Sequence, residues 1–155
     1  MGLDNYPIRP KWRSEEETKP VQTHQPDEPC PFVDLHQPVG MLGSCCWLRG
    51  KSAARELQAF GRNDLAERMH ANIHPEDAAA IADELDAFAD EFEKTHAGKD
   101  EKPRGAGWNG KWDEKAKAVV WETYSTFEEA LSEIRLAAKW YRKVADLGYG
   151  VGAWY

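Results

Sequence analysis

The sequence predicts a mainly helical α+β fold, with three to four helices, a small two- or three-stranded element and an extended Pro-rich N-terminal arm. Three observations carry this expectation. Seven of the nine prolines fall within residues 1–38, where each removes a backbone donor and resists a helix interior. From Lys51 onward, apolar residues recur at i, i+3, i+4 spacing, the signature of a helix with one buried face. Val119-Val120-Trp121 is the densest β-branched and aromatic cluster in the chain, which favours a strand.

Taken in order, residues 1–48 read as an arm packed on the core and residues 49–155 as the helical core of what is overall one domain. Tyr6, Ile8, Trp12, Phe32, Val33 and Leu35 give the arm apolar anchors, and Tyr6-Pro7-Ile8 suits an edge strand. Residues 14–29, with the run Glu15-Glu16-Glu17, are its most solvated part. The first helix runs from Lys51 through Ala53, Leu57 and Phe60, with Gly61 as its stop. A short second helix begins at Asn63 or Asp64, a capping type, and passes through Leu65 and Met69 to end before His74-Pro75.

The third helix has the firmest signature. Pro75 suits its first position, Glu76 and Asp77 complement the positive end of its dipole, and Ile81, Leu85, Phe88 and Phe92 line one face before Gly98. Asp83, Asp86, Asp90, Glu91 and Glu93 then form a solvated outer face rather than a metal site. Residues 98–112, with four glycines and Pro103, read as a long loop. After the strand, Ser125-Thr126-Phe127-Glu128-Glu129 offers two overlapping capping boxes. Phe127, Leu131, Ile134, Ala138, Tyr141 and Val144 form the buried face of the last helix, and Gly148 closes it. The final residues 149–155 are too aromatic for a solvated tail and are expected to dock, against the arm or a second subunit.

Composition excludes some functions. A chain of 155 residues with net charge −7 lacks the clustered cations of a non-specific nucleic-acid binder. Its apolar runs are too short to span a bilayer, and its start lacks a secretory pattern. Three cysteines, two of them adjacent, do not make a disulfide framework, which fits the cytoplasm.

The chemistry-bearing stretch is Cys45-Cys46-Trp47-Leu48-Arg49-Gly50-Lys51-Ser52. It is one residue short of a phosphate loop, because Cys45 stands where the first glycine belongs. The strand-helix units that such an enzyme needs are also missing. What remains is an anion site in which Arg49, Lys51, Ser52 and Arg55 surround a helix N-terminus, with Trp47 or Trp108 as an aromatic wall. The competing plain reading is a solvated basic turn.

Cys30, His36, Cys45 and Cys46 have zinc-ligand chemistry, but their spacing does not suit one ion, so no metal is expected. Cys46, close to a helix start, is a candidate nucleophile. His24, His36, His70, His74 and His96 all qualify as its base, and nothing in the sequence selects among them. Gly107-Trp108-Asn109-Gly110-Lys111-Trp112 reads either as a turn pinned by its indoles or as a stacking loop.

Gly2-Leu3-Asp4-Asn5-Tyr6, taken with Gly40-Met41 and Arg49-Gly50-Lys51, resembles a group of small proteins encoded by bacteriophages and bacteria. The resemblance covers short pieces of the first third of the chain and transfers no catalytic residue. It implies a phage-type protein acting inside a bacterial cell, where many such proteins bind rather than catalyse.

The sequence thus leads to a non-enzymatic, cofactor-free binding protein that captures a small anionic, nucleotide-like ligand or a host protein, and that self-associates through its aromatic ends. Two alternatives stand beside it. One is an enzyme acting on a phosphorylated or acyl substrate through Cys46; the other is a regulatory interaction protein without a ligand.

Overall fold

The computed structural model describes residues 4–8, 32, 35, 46–98, 104–115, 117–122 and 126–154. The expected irregular arm over 14–29 and the residues Cys30, His36 and Cys45 lie outside them. The element order is β1 (Asp4–Ile8), α1 (Gly50–Ala59), α2 (Asn63–Met69), α3 (Pro75–His96), β2 (Arg104–Asp113), β3 (Ala118–Glu122), α4 (Phe127–Asp146) and β4 (Gly150–Trp154). The fold is mainly α with a small β component. Its strands are arranged as two antiparallel two-stranded ribbons, β1 with β4 and β2 with β3.

Helices α3 and α4 form the spine. Their contact stripes are rich in small residues, with Ala78, Ala82 and Ala89 on α3 and Ala130, Ala137 and Ala138 on α4 all buried, so the two backbones approach closely. Ile81, Leu85, Ile134, Tyr141 and Val144 fill the remaining volume. The two helices run antiparallel, as their ion pairs show. Arg135 meets Asp90 and Glu93, while Arg142, two turns further along α4, meets Asp83 and Asp86 two turns back along α3. The acidic outer face of α3 is thus solvated and also laced to its neighbour.

Local signals set the helix ends. Pro75 sits in the first turn of α3, where its missing N–H is no loss. Gly61, Gly98 and Gly148 adopt φ of +77°, +75° and +69° after α1, α3 and α4, a region that side chains disfavour. Thr126 and Glu129 form a reciprocal capping box at the start of α4, with Thr126 Oγ1 accepting from the Glu129 amide at 3.2 Å and Glu129 Oε2 accepting from the Thr126 amide at 2.8 Å.

The expectation of a loop over residues 98–112 is corrected. Residues 104–113 form β2, which pairs with β3. Glycine is depleted in strands because it adds entropy to the unfolded chain and offers nothing to pack, so three glycines within six residues read as a loop. The ribbon tolerates them by deforming: Arg104 and Asn109 both oppose Glu122, so the residues between them bulge out of register.

The β1–β4 ribbon draws the start and end of the described chain together. Asn5 and Leu48 exchange both backbone hydrogen bonds at 2.9 Å on one side of it, and Ile73 and Val151 do so at 2.9 and 2.8 Å on the other. Both edges are therefore covered. Because antiparallel pairs alternate and Asn5 points its backbone groups outward, Pro7 does too, so the donor it lacks is not one that β4 needs.

Phe32 and Trp140 lie nearly parallel at 5.9 Å. Trp140 donates its indole N–H to the Cys46 carbonyl at 2.9 Å, anchoring the segment that leads into α1 to the middle of α4.

Candidate functional site

The residues singled out in the sequence gather around the start of α1, and the geometry sorts them. Arg49 is exposed and takes the N-cap position with φ −77° and ψ 76°. No side chain caps the helix, and its first turn contains no acidic residue. Lys51, Ser52 and Arg55 are half-buried on the first two turns. Strand β2, which carries Trp108, packs against α1. Arg49, Lys51 and Ser52 thus share the start of a helix against which the strand of Trp108 packs.

Two members of the expected site drop out of it. Trp47 is fully buried, with its ring 5.1 Å from that of Tyr6, and is a core residue rather than a wall. Burial also raises the Tyr6 phenol above its ordinary value, in keeping with its place over the core. Arg55 turns toward the protein: its Nε lies 3.8 Å from Glu56 Oε1, and its charge also acts on Glu133 of α4. Two carboxylates thus compete with an outside anion for its charge.

The central residue of this neighbourhood is one that sequence reading missed. Asn5 is fully buried and ties its strand to two other pieces of chain, residues 48–50 and the end of α2. Its backbone pairs with Leu48, its side-chain amide donates to the Met69 carbonyl at the end of α2 at 2.7 Å, and its carboxamide oxygen lies against Gly50. A Cβ at Gly50 would overlap that oxygen. The glycine of Gly50-Lys51-Ser52 is therefore required by Asn5 and not by a phosphate. The same oxygen is buried against the first residue of α1 and accepts no hydrogen bond among the described residues, so it crowds the start of the helix without capping it.

Below α1 lies an acidic pair that the sequence also concealed. Glu56 is fully buried, and half-buried Glu133 faces it from α4. Loss of water, and then the Glu56 charge, push the Glu133 carboxyl above its ordinary value, with Arg55 opposing. A signal for Glu56 was present: it sits three residues after Ala53 and next to Leu57, inside the apolar stripe of α1.

Cys46 is fully buried, which removes it from contact with a substrate. His70, half-buried, has its imidazole pushed below the ordinary value by burial. Among the described residues no group of three or more His, Cys, Asp or Glu is arranged to hold a metal ion. No helix of the described chain is long and apolar enough to cross a membrane.

No protein-family model, no curated protein and no solved structure matches this chain. The functional reading therefore rests on the geometry alone.

Proposed function

We propose that the protein is a non-enzymatic binding protein that captures a small anionic, nucleotide-like ligand with the side chains of Arg49, Lys51 and Ser52, beside the strand carrying Trp108. The observation that supports this reading is the opening of α1: two cations flank a first turn that has neither an acidic residue nor a side-chain cap. Because Asn5 fills the space beside Gly50, the proposed contacts come from side chains rather than from a backbone cradle. The burial of Cys46 weighs against the thiol-enzyme alternative. The setting we propose is the cytoplasm of a bacterial cell, with a phage-type origin.

Titration calorimetry with pyrophosphate and with ADP tests this. Saturable binding should fall about ten- to a hundredfold in the double variant Arg49→Gln/Lys51→Gln, the worth of one or two charge-assisted hydrogen bonds. Absence of saturable heat with both probes, or the same affinity in the variant, overturns the reading.

A second reading has its own observation. Trp112 is 57% exposed, a single large side chain on the β2–β3 ribbon that could anchor a host protein.

A further inference from the structure

A cleft of about 350 Å³ opens where the end of α3 meets the start of α4, far along the chain from the α1 turn, and Phe92, His96, Phe127, Glu93, Glu128 and Leu131 line it. That volume is at the small-molecule end of ligand sites. Its floor is a cluster of rings: His96 is nearly parallel to Phe92 at 4.4 Å and to Phe127 at 4.6 Å, those two rings are themselves 5.8 Å apart, and Phe60 is set edge-on to Phe92 at 4.5 Å. His96 Nδ1 is 3.1 Å from the Phe92 carbonyl, which orients the imidazole in the cluster. Phe127 and Leu131 are only half-buried, although both fall on the apolar face of α4, because the cleft takes the place of a packing neighbour.

The electrostatics of this cleft favour a cation. Ring faces carry negative potential, and the negative end of the α3 dipole, with Lys94 and His96 in its last turn, forms one rim. At the other rim the positive end of α4 is already answered by its capping box and by Glu128 and Glu129 in its first turn. Of the two carboxylates that line the cleft, Glu93 is held by Arg135 at 2.6 Å, whereas Glu128 is exposed and makes no ion pair among the described residues.

We propose that this cleft binds a small organic cation, an amidinium or guanidinium carried on a flat body, with the body against Phe127 and Leu131 and the charge toward Glu128.

Benzamidinium and benzoate share a shape and differ in charge, so titrating the full chain with each, followed by the NMR signals of Phe127 and His96, decides the matter. Benzamidinium should shift those signals saturably, and benzoate should bind at least about tenfold more weakly. Glu128→Gln should weaken benzamidinium about two- to fivefold, while Glu114→Gln, on the distant β2–β3 turn, should leave it unchanged. Phe127→Ala should abolish binding. If that variant fails to fold, Glu128→Gln still decides, since its side chain is exposed. Equal binding of the two probes, no saturable shift with benzamidinium, or indifference to Glu128→Gln overturns the proposal.

Discussion

The carboxamide oxygen of Asn5 occupies the space that a side chain at Gly50 would need. Two residues 45 positions apart therefore constrain each other, and the constraint is steric and directional. Gly50→Ala should lose about 1–3 kcal/mol of stability through overpacking. Asn5→Ala should lose a similar amount, because the buried Met69 carbonyl is left without its donor. The double variant should lose less than the sum, since removing the carboxamide makes room for the methyl group. Urea unfolding of all four proteins measures this coupling, and strict additivity would refute the contact.

The capping box at α4 makes a second prediction. Thr126→Ala removes one half of a reciprocal pair at the start of a helix that supplies much of the core. It should cost about 1 kcal/mol, and Thr126→Ser should recover most of that. Thermal unfolding followed by circular dichroism compares the three.

Helix α4 is legible in its sequence almost as it stands, and so is α3, because proline, glycine and capping residues act over four or five neighbours and leave a local mark. Gly61, Gly98 and Gly148 stop helices where a reader expects them to. β2 was illegible because its glycines argue against a strand and only the pairing with β3 overrules them. The site was less legible than the fold. Trp47 looked like an aromatic wall, yet its burial depends on Tyr6, more than 40 residues away. Asn5 left no trace in its own neighbourhood, since each of its three partners comes from elsewhere in the chain. Phe127 was correctly placed on the apolar face of α4, but a period-3.6 pattern cannot tell a packed position from the wall of a cleft.

Glu133 predicts a pH dependence. Its carboxyl titrates above the ordinary value of 4.5 in the folded protein, so the folded state binds this proton more tightly than the unfolded chain. The contribution is fully present below the unfolded value and is lost as pH rises through the raised folded value. Glu133→Gln mimics the protonated form at every pH. Its unfolding free energy should therefore match the parent near about pH 4 and exceed it increasingly toward neutrality. A difference that stays flat across that range would mean that folding does not raise the Glu133 carboxyl.

The burial of Cys46 sets its reactivity. In a chain where Cys30 and Cys45 are replaced by Ser, the remaining thiol should react with a soluble disulfide reagent only when the structure opens. The rate should be about a hundredfold or more below that of the urea-unfolded chain, and should rise with destabilising variants such as Gly50→Ala. Rapid labelling of the folded protein would restore Cys46 as a nucleophile.

The surface ion pairs should matter much less. Arg142 reaches both Asp83 and Asp86, but all three side chains are well exposed, so Arg142→Ala should change stability by about 1 kcal/mol or less, and the effect should shrink in high salt. A larger loss would point to packing of the arginine stem instead.

Pairing β1 with β4 has a consequence for how the protein is made. Ile8 is matched with Gly150, so one strand waits for a partner translated much later in the chain, on the order of ten seconds at ordinary elongation rates. Through that interval β1 is an unsatisfied edge on a growing chain, and neighbouring ribosomes on the same message carry identical edges. Exchange of β4 between sister chains is the corresponding hazard of assembly; the covering of β1 by Leu48, available as soon as α1 has formed, gives the waiting strand an early partner within its own chain.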